Sequence, residues 1–325
     1  MDKNLKKSTC RLCQSESLVI YHVVNKSFTL YKCKECDLVQ SLASSHNQLD
    51  DKANQDSINQ DNFRKTSKED MRINRGANLP NAMQKLAHTI KQDTIRINSF
   101  FKKIIDPNKN YKFIDLGSGY GHIGFNIGDN NQNVDVHLLE TSKDRMEMGI
   151  QTFKPTKGKF IFHHKLLDST FAKEYKKYFD ISFSFHVLEH AYNPIDFIKN
   201  MYDITKSGGH IVLEVPNEDD DLQHLSQNYK NIIKFPAHTS YWNKKTLLFL
   251  LKKAGILNKI DFSFKAVQRY GFFNYIDWTR HDKKEMILSD DYVPREKKSW
   301  IEKLWLEEKE KNFTTDSIML IIKKN

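Results

Sequence analysis

No hydrophobic run in this chain is long enough to cross a membrane. The longest, such as Leu247-Leu248-Phe249-Leu250-Leu251, have five residues, against the roughly 18–20 that a spanning helix needs. Met1 to Lys7 is charged and no apolar stretch follows it, so no secretory signal is expected and the location expected is cytoplasmic. Cysteine is missing after residue 36, which rules out a disulfide scaffold. Internal repeats are missing too, and nothing suggests a collagen or a coiled coil. Arginine is scarce: nine of the 51 basic residues, although the net charge is +10. The lysines are spread along the chain among acids, which reads as a solvated surface and makes nucleic acid an unexpected partner. What remains is a globular chain of 325 residues, 39% hydrophobic, with 21 Phe and 13 Tyr to fill a core. That length suits one large domain plus a small one, or two domains.

All four cysteines fall in two pairs, Cys10-x2-Cys13 and Cys33-x2-Cys36. A two-residue knuckle lets both thiolates face one metal, and two knuckles about twenty residues apart match a tetrahedral zinc site. Four thiolates close the coordination shell, so this zinc is expected to be structural. Leu18 to Val24 and Ser27 to Tyr31 read as short strands of a ribbon, too small to hold itself without metal. Ser41 to about Asn78 is polar and reads as a linker or loosely held arm. Met83, Leu86, Ala87, Ile90, Thr94, Ile97, Phe101 and Ile104 then recur at helical steps, until Asp106-Pro107-Asn108 ends the pattern. The expected organisation is a zinc ribbon over 1–41, a linker and amphipathic helix over 42–108, and a third domain over 109–325.

Beyond Asn110 short apolar strands alternate with helical stretches. Tyr111–Leu116, Val134–Leu139, Lys159–His163, Phe179–Phe185 and His210–Val215 are the strands, and helices are expected at His122–Ile127, Ala191–Thr205 and Lys244–Ala254. Ile260–Val267 and Ser317–Lys323 are candidate closing strands. Such alternation means an α/β fold with a parallel sheet covered on both faces. The first strand runs into Asp115-Leu116-Gly117-Ser118-Gly119-Tyr120-Gly121, where glycines let the backbone turn sharply and approach a ligand closely. Glu140 ends the next strand, placed to accept both hydroxyls of a ribose. Together they point to an adenosine-containing cofactor.

Phe113 to Gly121 resembles motif I of the class I S-adenosylmethionine-dependent methyltransferases. Tyr178-Phe179-Asp180 running into His186-Val187-Leu188-Glu189-His190 is similar to their fourth strand and the segment after it. Lys206-Ser207-Gly208-Gly209 followed by His210 to Asn217 is similar to their K-P-G-G turn and fifth strand, with Ser207 in place of the proline. A finer resemblance is to bacterial zinc-ribbon sugar methyltransferases. It rests on the cysteine segment ending Cys33-Lys34-Glu35-Cys36-Asp37-Leu38-Val39-Gln40, on Pro236-Ala237-His238-Thr239-Ser240-Tyr241-Trp242 and on Gln268-Arg269-Tyr270. Asp37 replaces the usual knuckle glycine, a substitution a left-handed Asp tolerates.

The resemblance implies a Rossmann-like methyltransferase sheet, mostly parallel with an antiparallel last strand, that binds S-adenosylmethionine. Asp115, Gly117, Gly119, Gly121 and Glu140 would hold the cofactor, with Asp168 near its adenine and His186 at the strand's carboxyl end. The acceptor implied is a sugar or nucleotide sugar of surface-polysaccharide synthesis. No extra C-terminal domain like that of the sugar C-methyltransferases is expected after the last strand, and oxygen is therefore the favoured acceptor atom. A hydroxyl must lose its proton during attack, a task suited to histidine. His238 is the first candidate base and His190 the second, with Tyr241 to bind or orient the sugar and Arg269 to meet a phosphate or carboxylate. Three rivals stand beside this reading: a zinc-ribbon RNA methyltransferase, a non-catalytic cofactor-binding scaffold, and a metalloprotease that would use His186, Glu189 and His190 but for which no third ligand is identifiable.

Overall fold

The computed structural model describes residues 8–25, 28–42, 97–234, 237–282 and 297–325. The polar arm expected from Ser41 to Asn78 falls outside them almost entirely, as does the first half of the amphipathic helix that follows. Of that helix, residues 97–101 are described, helical, with Ile97 and Phe101 buried.

The strands, in chain order, are β1 (Leu18–Asn25), β2 (Phe28–Cys33), β3 (Val39–Ser41), β4 (Tyr111–Leu116), β5 (Val134–Leu139), β6 (Lys159–His163), β7 (Phe179–Phe185), β8 (Thr205–Pro216), β9 (Ser240–Tyr241), β10 (Ile260–Val267) and β11 (Ser317–Lys324). Two compact units divide them. One comprises Met1–Leu42, Tyr111–Gly117 and Leu167–Asn325, the other Ala43–Asn110 and Ser118–Leu166.

In the first unit a sheet runs β10-β11-β8-β7-β4. β4, β7 and β8 pair in parallel, and β11 lies antiparallel between β8 and β10. β11 therefore runs against its neighbours, as expected of the last strand. The central strands are buried along most of their length, polar Ser182, Ser184 and Glu214 included. Ile211, Val212, Leu213 and Val215 of β8 are all buried. β8 begins at Thr205, five residues before the expected His210. Its pairing with β7 jumps from Phe179↔Thr205 to Ile181↔His210, so the Lys206–Gly209 turn is carried as a bulge within the strand. Gly209 is needed there: a Cβ would stand 2.7 Å from the Asp180 carbonyl oxygen.

Helix starts follow their caps. The helix expected from Ala191 starts instead at Pro194, with the Asn193 side chain accepting from Asp196 N–H and proline in the first turn, where its missing N–H costs nothing. Lys244–Lys253 opens with an Asn243–Thr246 capping box and buries Leu247, Leu250 and Leu251 at helical spacing.

A second sheet in this unit runs β1-β2-β3-β9. Its first two strands are those expected between the cysteine pairs. β9 comes from residues two hundred positions away and pairs Val39↔Tyr241 and Gln40↔Ser240. Leu30, Val39 and Tyr241 form the sheet's small core, so the ribbon is held by packing as well as by its knuckles.

In the second unit β5 and β6 pair in parallel, with His137 and His163 stacked and hydrogen-bonded at 2.8 Å. Helices His122–Asn130 and Lys143–Phe153 belong to this unit. Among the described residues, no helix is long and apolar enough to cross a membrane.

Candidate active site

The glycine loop leaves β4 as expected. Gly117, Gly119 and Gly121 have φ of +71°, +56° and +74°, in the left-handed region that favours glycine. Their reasons differ. In the first unit, a Cβ on Gly117 would lie 2.6 Å from Val187 Cγ2, so this glycine lets the loop pass the segment after β7. In the second unit, a Cβ on Gly121 would meet Leu138 and Phe125 at 2.8 Å, whereas one on Gly119 would meet nothing within 4 Å. The side of Gly119 is open space, as a site for a bound molecule requires. Gly121 caps the following helix without any side-chain bond, leaving that N-terminus to its own N–H groups.

Glu140 is buried. Its Oε2 accepts from Gly119 N–H at 2.9 Å and its Oε1 from Ser142 N–H at 2.9 Å. The carboxylate thus fixes the loop it was expected to accompany. Sequence reasoning missed Gly149, on the helix after β5: a Cβ there would lie 1.9 Å from the Tyr120 carbonyl oxygen. An interior helical glycine was the available signal, since it costs about 1 kcal/mol against alanine and calls for a packing reason. Asp168 is the N-cap of helix Ser169–Glu174 and accepts from Thr170 and Phe171 N–H.

A second cluster lies in the first unit, past the ends of β7 and β8. His186 leaves β7 with φ +57° and its N–H bonds Glu214 O. Its ring sits between two buried carboxylates, Nε2 at 3.2 Å from Glu214 and Nδ1 at 3.5 Å from Glu189. Burial and Arg269 push its pKa down, but the two glutamates outweigh them and the net shift is upward. Burial likewise works against charge on Glu189, yet His186 and its neighbours hold it below the usual carboxylate range. Beyond the 3.5 Å contact of Oε1 with His186, neither Glu189 oxygen has a hydrogen-bond partner.

Leu188–His190 is a short 3-10 turn. The loop 237–239 is latched onto it: Thr239 N–H donates to Glu189 O at 2.7 Å, and Thr239 Oγ1 to the carbonyls of Glu189 and Ala191. His190 Nδ1 lies 2.9 Å from Ala237 O. A carbonyl only accepts, so Nδ1 carries the proton and Nε2 presents its lone pair. The His190 and His238 rings meet edge to face with centroids 4.8 Å apart, and His238 meets Tyr241 at 5.8 Å. The two candidate bases, read from separate segments, are therefore neighbours. Burial lowers the His238 pKa to about 4, with Glu189 pulling the other way, so this imidazole is neutral across the physiological range. Tyr241 is itself buried, and its ring receives the Lys234 ammonium at 4.2 Å. Arg269 N–H donates to buried Asp316, and its guanidinium lies 5.9 Å from the Tyr270 ring centre.

The four cysteines converge. Cys10–Cys36 and Cys13–Cys33 sulfurs are each 3.5 Å apart, and all four sulfurs lie within 4.8 Å of one another. A tetrahedral zinc with bonds of about 2.3 Å separates its sulfurs by about 3.8 Å, so the set fits that ion. Asp37 has φ +63°, the conformation expected of the residue replacing a knuckle glycine.

Comparison with known proteins bears on this arrangement. No curated protein matches the chain. Solved structures that resemble it include an S-adenosylmethionine-dependent methyltransferase from Thermotoga maritima, described as a possible histamine N-methyltransferase. It is 15% identical, with 76% of this chain and 96% of that one covered at a TM-score of 0.45. Another is magnesium protoporphyrin IX methyltransferase from Synechocystis with bound SAH, 12% identical, with 83% and 99% covered at a TM-score of 0.48. A family model described as a methyltransferase domain matches residues 81–258, more than half of the chain. The chain belongs to that methyltransferase-domain family and is an S-adenosylmethionine-dependent methyltransferase.

Proposed function

We propose that the chain methylates a hydroxyl oxygen of a sugar or nucleotide sugar, in a cytoplasmic pathway that builds surface polysaccharide. The observation that carries the oxygen assignment is the His190–His238 pair, brought together at 4.8 Å from distant segments. Nitrogen and sulfur acceptors offer a lone pair without losing an O–H proton, whereas a hydroxyl needs a base. The sugar assignment rests on the motif resemblance around the cysteine knuckles and Pro236–Trp242.

The cofactor supplies a methyl group on a sulfonium, a leaving group that needs no protonation. Asp115, Gly117, Gly119, Gly121 and Glu140 would hold it, with open space beside Gly119 and Glu140 as the acceptor for ribose hydroxyls. His238, neutral and lined up by the Thr239 latch, takes the acceptor's proton as the oxygen attacks. The imidazolium so formed is stabilised by the Glu189 carboxylate. His190 steadies His238 edge to face, Tyr241 holds the loop into the ribbon sheet, and His186 clamps Glu189 and Glu214. Zinc on Cys10, Cys13, Cys33 and Cys36 closes the ribbon without taking part in the chemistry.

The test is incubation with labelled S-adenosylmethionine and a panel of nucleotide sugars, with RNA alongside. Label on a sugar oxygen is the expected result. Label confined to RNA, or to a nitrogen or carbon, contradicts the proposal.

A further inference from the structure

Glu189, His190 and His238 offer two imidazole nitrogens and one carboxylate oxygen, all within 4.8 Å of one another. We propose that this trio is a divalent transition-metal site, and that a cation bound there shuts off methyl transfer by occupying the lone pair the acceptor's proton needs. The inference rests on the reading of His238 as the base.

Four features of the site carry it. The donor set, two histidines and a carboxylate, is one that zinc and its first-row neighbours bind. His190 Nδ1 donates to Ala237 O, the kind of outer hydrogen bond that fixes the tautomer of a metal-binding histidine and leaves Nε2 as its ligand atom. Glu189 is 1% exposed, and apart from the 3.5 Å contact of Oε1 with His186 its oxygens have no hydrogen-bond partner, so a buried carboxylate keeps acceptor capacity for an ion. His190 is exposed, which gives a cation a way in without opening the core.

The distances suit capture of an ion rather than its permanent enclosure. Tetrahedral bonds of about 2.1 Å place donors about 3.4 Å apart, so three donors already within 4.8 Å of one another need draw in by no more than about 1.4 Å. Three protein donors leave a fourth position for water. The metal and the substrate proton compete for His238, because a lone pair on the metal is no longer a base. The same three residues that make the hydroxyl reactive thereby make the enzyme sensitive to free transition metal. The metalloprotease reading had grouped His186 with Glu189 and His190; the structure instead ties His186 to Glu189 and Glu214 and supplies His238 as the third donor.

Cobalt(II) is the probe, added to full-length protein already loaded with zinc. Binding at cysteine would show intense thiolate-to-cobalt charge transfer, whereas the trio gives only weak d–d bands. The expected result is about one equivalent bound without charge transfer, weakened at least about 10-fold by His190→Ala, the loss typical of damage to a metal site. His190 is exposed, so this variant tests the site without emptying the core; Glu189→Gln should act in the same direction. Added cobalt should also slow methyl transfer in the wild type. No binding, charge transfer alone, binding indifferent to His190→Ala, or transfer unaffected by bound cobalt would each overturn the inference. Full turnover in His238→Ala would instead overturn the base assignment, while the spectroscopic titration would still read the metal site directly.

Discussion

Replacing Gly117 with alanine adds one methyl group at a point where two constraints meet. The first is backbone: φ is +71°, and an L-residue in the left-handed region costs about 1–2 kcal/mol. The second is packing: the new Cβ would stand 2.6 Å and 2.9 Å from the two γ-carbons of Val187. Valine is stiff at χ1 and cannot swing both methyls away. It also follows His186, whose N–H is tied to Glu214 O. Overpacking of this kind costs about 1–3 kcal/mol, so Gly117→Ala should destabilise by about 2–5 kcal/mol in all. The two parts separate in a double-mutant cycle. Val187→Ala removes both γ-carbons and leaves its Cβ at 3.3 Å, an adjustable contact. Urea unfolding of the two single variants and the double should show a favourable coupling of about 1–3 kcal/mol, with the backbone cost remaining. Additivity within about 0.5 kcal/mol would mean that Val187 does not set the requirement for glycine, and the packing argument would fall.

Cys33→Ser should remove most of the bound zinc by elemental analysis yet leave S-adenosylmethionine binding intact; protein that never carried zinc would refute the ribbon assignment. Glu140→Ala should weaken S-adenosylmethionine by about 1–3 kcal/mol, the scale of hydrogen bonds to a charged group, and unchanged affinity by calorimetry would place the ribose elsewhere. Burial raises the Asp220 pKa from 3.8 to about 6, against the attraction of Lys309, with Asp316 adding to the rise. The Tyr229 hydroxyl also donates to this group, and Lys309 is shared with Asp221. The native state then binds more protons than the unfolded one between pH 4 and 6. Asp220 thus favours folding most below its unfolded pKa, and that contribution of about 3 kcal/mol is lost as pH rises through 6. Asp220→Asn should flatten the slope, and an identical slope in both proteins would contradict the assignment.

Features with a local period were legible from the sequence. The apolar run of β4, the glycines after it and the knuckle spacing of the cysteines each carry their own signal, and so does the left-handed Asp37. Non-local pairing was not. β9 has two residues, too few for any alternation to show, yet it completes the ribbon sheet. The meeting of His190 with His238 depends on the Thr239 latch, which no pattern in either segment announces. The clamp of Glu189 and Glu214 on His186 is of the same kind, because the two acids are 25 residues apart and meet only once β7 and β8 pair. The early start of β8 was hidden by two glycines that read as a turn and fold as a bulge.

The most direct test of the account separates binding from chemistry in His238→Ala. Calorimetry should give an unchanged affinity for S-adenosylmethionine, because His238 lies outside the residues assigned to the cofactor. Single-turnover transfer to the accepting sugar should then fall by about 10²–10⁴, the usual worth of general-base catalysis. Transfer at the wild-type rate with unchanged cofactor affinity would contradict the central claim that His238 takes the proton from an acceptor hydroxyl.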